Sequence, residues 1–435
     1  MKLEELKNKK ILVVGKGIEG EASFRYLKKK FPNMVIDAVD KKDGQDYLEK
    51  QNDYDIVVKS PSVKPEVINI PYTTETNIFL ANAKGKIIGV TGTKGKSTTS
   101  TLIYEMFKKQ GFDAYLGGNI GVPPLDFLDK LNTQSWTVLE LSSFQLQDLK
   151  ISPHIAVLLM IVPEHLDYHQ SLEKYIDAKR NILRFQTAED FAIINKDYPT
   201  SHESDMETNA RVFQVSRERE CLEGCFVRHK TIFLRKDGRE FEVIKTENIK
   251  LVGEHNLENV CAATMAAYLA GVSISNIKFV LENFKGLEHR LEFVWEVNNI
   301  RFFNDSLATL PQATISALEA LKETETLITG GFDRGLDYKD LAKAIVQSGI
   351  KTLILFPTTG ARIWKEICEE TDNPPEKFDV TTMEQAVRIA FAETTSGKIC
   401  LMSPASASFN LFKNYKDRGN QFKEEVALLK ENESN

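Results

Sequence analysis

Short apolar runs rich in Val, Ile and Leu alternate along this chain with longer polar or amphipathic stretches. The runs stand at 10–14, 35–39, 56–59, 137–141, 155–161, 191–194, 291–297, 300–304, 326–329, 352–356 and 398–402. Buried strands that alternate with amphipathic helices form parallel sheets with helices on both faces. The pattern therefore predicts an α/β fold.

The alternation of apolar runs and amphipathic stretches restarts at two points along the chain, which predicts three domains. Residues 1–82 are expected to form a small Rossmann-like N-terminal domain, and residues 83–286 a central domain with a parallel sheet. Residues 287–435 are expected to form a C-terminal Rossmann-like α/β domain. Inside the central segment, residues 211–250 predict short strands and turns in an antiparallel excursion.

Composition and charge narrow the function classes. The chain has 435 residues and a net charge of −6 without a basic block, so its charge favours neither nucleic-acid nor membrane binding. The apolar run 155–162 is too short to span a bilayer, and the first six residues lack the apolar core of a signal peptide. Five scattered cysteines fit reduced thiols. We expect a cytoplasmic protein with no nucleic-acid or membrane partner.

A glycine-containing turn between an apolar run and a helical pattern predicts a phosphate site. Gly92 and Gly95 can adopt backbone angles that let N–H groups converge on an anion, and a helix N-terminus follows them. Lys96 would reach the β- and γ-phosphates, while the Ser97 hydroxyl would ligate Mg²⁺. Val90 stands where the usual P-loop has its first glycine. We expect ATP binding by a domain of the P-loop ATPase type.

A second glycine turn, at 15–20, follows the first apolar run. With Asp40 twenty residues beyond Gly20, it matches the dinucleotide fingerprint, and an NAD-dependent oxidoreductase is one alternative. The segment ends too early for a full dinucleotide fold, and a phosphate loop follows it. A turn that holds a different nucleotide diphosphate fits both facts.

Acidic and histidine side chains follow two strands of the central segment. Glu140 closes one strand, and a carboxylate beside a phosphate loop is a natural Mg²⁺ ligand. His165 and His169 would share a face if they lay on one helix, which leaves a zinc site as an alternative. Lys179, taken alone, is a solvated lysine of a helix.

Four motifs occur in an order that resembles the Mur ligase family, and within it the MurD type. They stand at 91–97, 140–145, 164–167 and 253–259. The resemblance covers essentially the whole chain. It implies a monomeric ATP-dependent ligase that adds glutamate to UDP-N-acetylmuramoyl-L-alanine through an acyl phosphate, in the cytoplasmic synthesis of peptidoglycan precursors.

The resemblance also implies a role for each matching residue. Catalysis would depend on Lys96, Glu140, His165 and Lys179. Two Mg²⁺ ions would be held by Ser97, Glu140, His165 and a carbamylated Lys179. ATP would be bound by Gly92, Thr93, Lys94, Gly95, Lys96, Ser97, Thr98, Asn256, Asn259, Arg290 and Asp305. The UDP substrate would be bound by Gly17, Ile18, Glu19, Asp40, Ser60 and Asn119.

The same resemblance places the amino-acid substrate in the third domain. Glutamate would be bound by Thr309, Arg334, Ser408, Phe409 and Tyr415. Leu307 departs from the pattern, because many MurD-type ligases carry a lysine at that place. We expect D-glutamate, and a variant that uses L-glutamate is the alternative.

Two further classes compete with this interpretation. A folate ligase of the same superfamily would begin with its ATPase domain, whereas this chain begins with a glycine-turn domain. A nucleotide-binding regulatory protein would not need Lys96, Glu140, His165 and Lys179 together.

Overall fold

A computed structural model of the protein describes residues 1–251, 253–254 and 256–433. Its strands and helices confirm the α/β class. Tertiary contacts divide the chain into two compact units, Met1–Phe284 and Lys285–Asn435. Across the described part of the chain, every helix is too short or too polar to cross a membrane.

The first unit begins with a small parallel sheet. Its strands are β1 (Ile11–Val14), β2 (Ile36–Val39), β3 (Ile56–Lys59) and β4 (Tyr72–Thr74), in the order β2-β1-β3-β4. Helix α1 (Ile18–Lys30) follows β1, and helix α2 (Glu75–Asn82) follows β4. All four residues of β1 are buried, as a central strand covered by helices requires.

A nine-stranded sheet forms the rest of this unit's framework. Its strands are β5 (Lys86–Thr91), β6 (Ala114–Gly118), β7 (Trp136–Glu140), β8 (Ile155–Leu158), β9 (Phe191–Asn195), β10 (Arg211–Ser216), β11 (Gly224–Arg228), β12 (Thr231–Lys236) and β13 (Arg239–Lys245). The order is β13-β12-β11-β10-β9-β8-β5-β7-β6. β5 lies between β7 and β8, and the chain crosses from one side of β5 to the other between those two strands. Such a switch point opens a crevice at the carboxyl ends of the strands.

In the described part of the chain, seven α-helices accompany this sheet. They are α3 (Lys96–Gln110), α4 (Ser143–Leu146), α5 (Leu166–His169), α6 (Leu172–Arg184), α7 (Pro199–His202), α8 (Asn256–Leu269) and α9 (Ile274–Asn283). Apolar residues of α3, α8 and α9 form one core on one face. On the other face, α6 joins a core that continues into the first sheet, which is why both sheets belong to one unit.

The second unit is a six-stranded sheet between helices. Its strands are β14 (Glu292–Val297), β15 (Ile300–Asn304), β16 (Thr324–Gly330), β17 (Thr352–Phe356), β18 (Glu376–Asp379) and β19 (Ile399–Met402), in the order β14-β15-β19-β16-β17-β18. Among the described strands of this sheet, β14 and β15 form the only antiparallel pair. The helices are α10 (Pro311–Ala320), α11 (Lys339–Gln347), α12 (Thr359–Glu370), α13 (Met383–Glu393) and α14 (Tyr415–Glu433).

The structure corrects the predicted elements in two respects. First, β4, β6 and β18 have no counterpart among the predicted strands, because polar or glycine residues interrupt their apolar pattern. Second, the segment 211–250 is antiparallel only at β12 and β13, since β10 pairs in parallel with both β9 and β11. The segment extends the central sheet.

A buried ion pair connects the first sheet to the central part of the same unit. The Lys59 ammonium lies 2.8 Å from Asp148 Oδ2, and both side chains are almost fully buried. Lys59 Nζ also donates to the carbonyl of Val63 at 2.8 Å, and the Tyr72 hydroxyl donates to Asp148 Oδ1 at 2.8 Å. Each charge is therefore compensated where water is absent.

We expect Asp148→Asn to lower the free energy of unfolding by about 3 kcal/mol, because it leaves a buried ammonium without its counter-charge. The double variant Lys59→Met with Asp148→Asn should be more stable than the single one. Urea unfolding measures this through Trp136 fluorescence, with Trp295 and Trp364 replaced by Phe.

Lys278→Ala is the matched control for this prediction. Its ion pair with Glu282 is long, at 4.0 Å, and half exposed. Removing such a surface pair should change stability by less than about 0.5 kcal/mol. A double variant as unstable as Asp148→Asn would contradict the argument from uncompensated charge.

Candidate active site

The loop between β5 and α3 has a backbone that only glycine permits at two positions. Gly92 has φ of +158° and Gly95 has φ of +87°. A Cβ on Gly95 would lie 2.1 Å from Asn259 Oδ1, and one on Gly92 would lie 2.7 Å from Leu159 Cβ. Gly95 then leads into α3 without a side-chain cap. The first N–H groups of a helix have no acceptor within it, so this terminus suits an anion.

Side chains of the loop are tied to its own backbone and to neighbouring segments. Lys96 Nζ donates to the carbonyls of Gly92 at 3.0 Å and Thr93 at 2.9 Å. The Thr93 hydroxyl lies 2.9 Å from the Tyr175 hydroxyl and accepts from the N–H of Val162 at 3.0 Å. The loop is thus fixed against α6 and against the segment after β8.

Lys179 of α6 is buried against this loop. Its Nζ donates to the carbonyl of Gly92 at 2.8 Å and lies 4.8 Å from the centre of the Tyr175 ring. Burial, and after it the charge of Lys96, holds the pKa of Lys179 well below its usual value. The residue is therefore not the solvated lysine that its helix alone suggests.

Glu140 closes β7, which is hydrogen-bonded to β5. Its Oε1 accepts a hydrogen bond from Asn119 Nδ2 at 2.6 Å. Its Oε2 is buried, and no described residue donates a hydrogen bond to it. A buried carboxylate oxygen without a donor is costly unless a cation compensates it, and oxygen is the ligand that Mg²⁺ prefers. The residue fits a Mg²⁺ site.

The two histidines after β8 do not share a helix face, because α5 begins only at Leu166. His165 is exposed, with φ of +55°, and its Nε2 lies 3.7 Å from Glu164 Oε2. His169 is buried, and its Nε2 lies 3.0 Å from Ser143 Oγ. Within the described ranges, no cluster of three or more His, Cys, Asp or Glu could hold a metal ion. The premise of the zinc alternative is therefore wrong.

The remaining residues of the predicted ATP site in this unit surround the same loop. Ser97 is half-buried and Thr98 buried in the first turn of α3, and Lys94 is exposed. Asn259 donates from Nδ2 to Asn256 Oδ1 at 3.0 Å, so the start of α8 meets the loop at Gly95. The motif at 253–259 also contains His255, which lies outside the described residues.

The turn after β1 is held by two of the residues predicted for the UDP substrate. Ser60 Oγ donates to the carbonyl of Gly15 at 2.7 Å. Asp40 Oδ2 accepts from the N–H of Lys16 at 2.9 Å, and this hydrogen bond lowers the pKa of Asp40. Gly17 precedes α1, and the side chain of Ile18 is 79% exposed.

Glu19 and Asn119, predicted for the same substrate, have partners inside the unit. Gln145 Nε2 donates to Glu19 Oε1 at 2.8 Å. Burial raises the pKa of Glu19 to about 7, although a hydrogen bond with Glu75 acts in the opposite direction. Glu75 in turn accepts from the N–H of Leu125 at 3.1 Å. Sequence reasoning missed Glu75. Gln145 belongs to the motif at 140–145, but the spacing of that motif does not predict its hydrogen bond with Glu19.

Asp305 of the second unit is buried, with both carboxylate oxygens bonded. Oδ1 accepts from the N–H of Leu291 at 3.2 Å, and Oδ2 accepts from Ser403 Oγ at 2.8 Å. Burial raises the pKa of Asp305 to about 7. Arg290 is half-buried, and its charge acts on Asp305. Through these two hydrogen bonds, Asp305 connects the loop after β15 with the segments of Leu291 and Ser403. Its contact with a nucleotide stays a prediction.

The residues predicted to bind glutamate lie on loops at one edge of the second sheet. β15, β16 and β19 are parallel neighbours, and the loops that follow them carry Thr309, Arg334 and Ser408. Ser408 is buried, and the guanidinium of Arg334 lies 5.6 Å from the centre of the exposed Phe409 ring. Tyr415 is the first residue of α14.

Comparison with known proteins identifies two family domains. Residues 90–267 match the Mur ligase middle domain, and residues 289–406 match the Mur ligase glutamate ligase domain. The chain is 36% identical to a UDP-N-acetylmuramoylalanine--D-glutamate ligase of Acetivibrio thermocellus over 97% of both chains. It is 35% identical to the protein of that name from Thermoanaerobacter pseudethanolicus, over 98% of this chain and all of the relative.

Solved structures share the fold at lower identity. UDP-N-acetylmuramate-alanine ligase from Thermotoga maritima matches with a TM-score of 0.59 and 18% identity, over 97% of this chain and 99% of that one. A pseudomurein peptide ligase from Methanothermus fervidus matches with a TM-score of 0.59 and 17% identity, over 97% and 100%. With two family domains and relatives above 30% identity along its length, the chain belongs to the Mur ligase family of ATP-dependent ligases.

Proposed function

We propose that this chain joins D-glutamate to UDP-N-acetylmuramoyl-L-alanine at the expense of ATP. Relatives that bear the name of this activity align with it from end to end. The observation that carries the proposal is the pair formed by Glu140 and Lys179. A buried carboxylate oxygen without a donor and a buried amine both belong to the surroundings of one phosphate loop.

The first step transfers the γ-phosphoryl group of ATP to the carboxylate of the muramoyl-alanine. Both reactants are anions, so positive charge must offset their repulsion. Lys96 supplies one charge, and the N-terminus of α3 supplies N–H groups. Ser97, Glu140 and His165 would hold Mg²⁺, which supplies further positive charge to the phosphates when bound. Asn119 keeps Glu140 in place through Oε1 and leaves Oε2 for the metal.

Lys179 would act as a carbamate. An ammonium cannot ligate a metal, whereas a carbamate offers anionic oxygens. The neutral Nζ forms a bond to the carbon of CO₂, and one proton leaves to solvent. Burial favours this reaction, because a lowered pKa makes the neutral amine the main form at a pH where an exposed lysine is charged.

The second step is attack of the glutamate amine on the acyl phosphate. The acyl carbon becomes tetrahedral, phosphate leaves, and the amine loses its proton as the amide forms. Glutamate carries two carboxylates, which require cations and donors. In the second unit Arg334 offers a cation, and Thr309 and Ser408 offer hydroxyl groups.

We assign D-glutamate as the amino acid, in line with the names of the relatives. Leu307 removes a cation that many ligases of this type carry, so the L-enantiomer is the alternative that the assay must separate. Because the reaction consumes ATP, we place it in the cytoplasm. All assigned residues belong to one chain, and we propose a monomer as the working form.

Phosphate release tests the activity. With ATP, Mg²⁺ and UDP-N-acetylmuramoyl-L-alanine, we expect release to require D-glutamate. L-Glutamate should give little release above the background without amino acid. Release with L-glutamate alone would overturn the stereochemical assignment, and no release with either enantiomer would overturn the ligase proposal.

Glu140→Gln tests the metal site. Because the substitution removes one negative charge from the proposed ligand set, the Mg²⁺ concentration for half-maximal rate should rise by about tenfold or more. A titration of the rate against Mg²⁺ measures it. Glu189→Gln, at an exposed position of the same unit, is the control and should titrate like the wild type. The same half-maximal Mg²⁺ concentration in both variants would show that Glu140 is not a ligand of the metal.

Lys179→Ala tests the carbamate. The rate should fall by about 100-fold, because a metal ligand is lost, and a short carboxylic acid should restore part of it. With ¹³C-labelled bicarbonate, the wild type should show a carbamate carbon signal that the variant lacks. Lys174→Ala, an exposed lysine of the same helix, should keep the signal and the rate. Full activity of Lys179→Ala without added carboxylic acid would contradict the proposal that Lys179 is carbamylated.

A further inference from the structure

Arg418 is a fully buried arginine of α14 that sequence reasoning did not find. Its side chain has no exposed surface. A charge withdrawn from water is costly unless hydrogen bonds and an opposite charge compensate it. The location of this guanidinium therefore calls for an explanation.

Among the described residues, its guanidinium donates hydrogen bonds to two loops of the second unit. Nε donates to Ser306 Oγ at 3.0 Å, and Nη2 donates to the carbonyl of the same residue at 2.9 Å. Nη1 donates to the carbonyl of Ser406 at 3.1 Å. The first loop follows β15 and leads to Thr309, and the second follows β19 and leads to Ser408. Both are loops to which the proposed function assigns glutamate.

A third loop approaches the same guanidinium. Gly331, after β16, has φ of +150°, and a Cβ there would lie 2.4 Å from the carbonyl of Ala407 and 3.3 Å from Arg418 Nη1. The loop that carries Arg334 is thus packed directly against the loop that carries Ser408. The guanidinium lies where the three meet.

The charge of Arg418 lacks an ion-pair partner among the described residues. Asp305 acts on it electrostatically, but no carboxylate there lies within 4.0 Å. Burial lowers the pKa of Arg418 to about 9, so the group is still charged at neutral pH. A guanidinium can donate five hydrogen bonds, and three are used by the contacts above. Asp305, on the loop after β15, offsets part of this charge, and the remainder would favour an anion bound on the loops.

We propose that Arg418 is the positioning residue of the amino-acid site: it fixes the loops after β15 and β19 in one arrangement, and its charge favours a dicarboxylate bound on them. The identity of the ligand as glutamate rests on the proposed function, whereas the role of Arg418 in fixing the loops does not. Arg418 touches no substrate in this role, because it is buried beneath the loops.

Kinetics of the full-length variants Arg418→Met and Arg418→Lys provide the first test. The KM for glutamate should rise by about tenfold in Arg418→Met, since charge-assisted hydrogen bonds to both loops are lost. It should rise less in Arg418→Lys, which keeps the charge but not the fork of donors. The KM values for ATP and the UDP substrate should stay at the wild-type level. A parallel rise of all three, or no rise for glutamate, would overturn the proposal.

Hydrogen exchange provides a test that needs no activity. Residues 304–309 and 403–409 should exchange faster in both variants, while β17 keeps its wild-type rate. Unchanged exchange in the two loops would overturn the proposal. If the wild type releases no phosphate with glutamate, the proposed function fails, and exchange still decides whether Arg418 positions the loops. If Arg418→Met does not fold, Arg418→Lys decides alone.

Arg388→Met is the matched control. Arg388 lies on α13 of the same unit, 75% of its side chain is exposed, and it pairs with Glu384 at 2.9 Å. An exposed ion pair of this kind contributes little to the stability of the fold. We expect its KM for glutamate and its exchange in both loops to equal those of the wild type.

Discussion

The hydrogen bond from Lys179 Nζ to the carbonyl of Gly92 is the contact on which the first unit's site depends. It holds an amine of α6 against the backbone of the phosphate loop at 2.8 Å, and both groups are buried. Tyr175, one helical turn earlier, fixes the same loop through Thr93. This burial, and after it the neighbouring charge of Lys96, lowers the pKa of the amine and so favours the neutral form that carbamate formation would require.

The order of the strands explains why a carboxylate joins that amine. β5 lies between β7 and β8, so the residues that close these strands meet at one edge of the sheet. Glu140 arrives there as the last residue of β7, and the segment with His165 follows β8. The chain direction thus gathers residues that lie far apart in the sequence, and α6 adds Lys179 from outside the sheet.

Local pattern was sufficient for the fold class and for the phosphate loop, because apolar runs and glycine positions are properties of neighbouring residues. The local pattern could not predict side-chain partners that lie far apart in the sequence. The hydrogen bond between Gln145 and Glu19 spans 126 positions, and that between Ser403 and Asp305 spans 98. No spacing rule reveals that Glu19 is directed toward α4, or that Asp305 has both oxygens bonded within its own unit. Arg418 was hidden for the same reason, since a lysine-rich, polar helix gives no sign of one buried guanidinium.

Among the described residues, each unit buries a charged group that lacks a full set of protein partners. In the first unit it is negative, at Glu140 Oε2, and in the second it is positive, at Arg418. Protein interiors normally exclude such charges, so their presence calls for compensation by a ligand of opposite sign. The signs agree with the proposed chemistry: the first unit would receive a metal ion with its nucleotide, and the second a dicarboxylate. The ion pair of Lys59 and Asp148 shows the contrast, because there the protein supplies both charges and no ligand is needed.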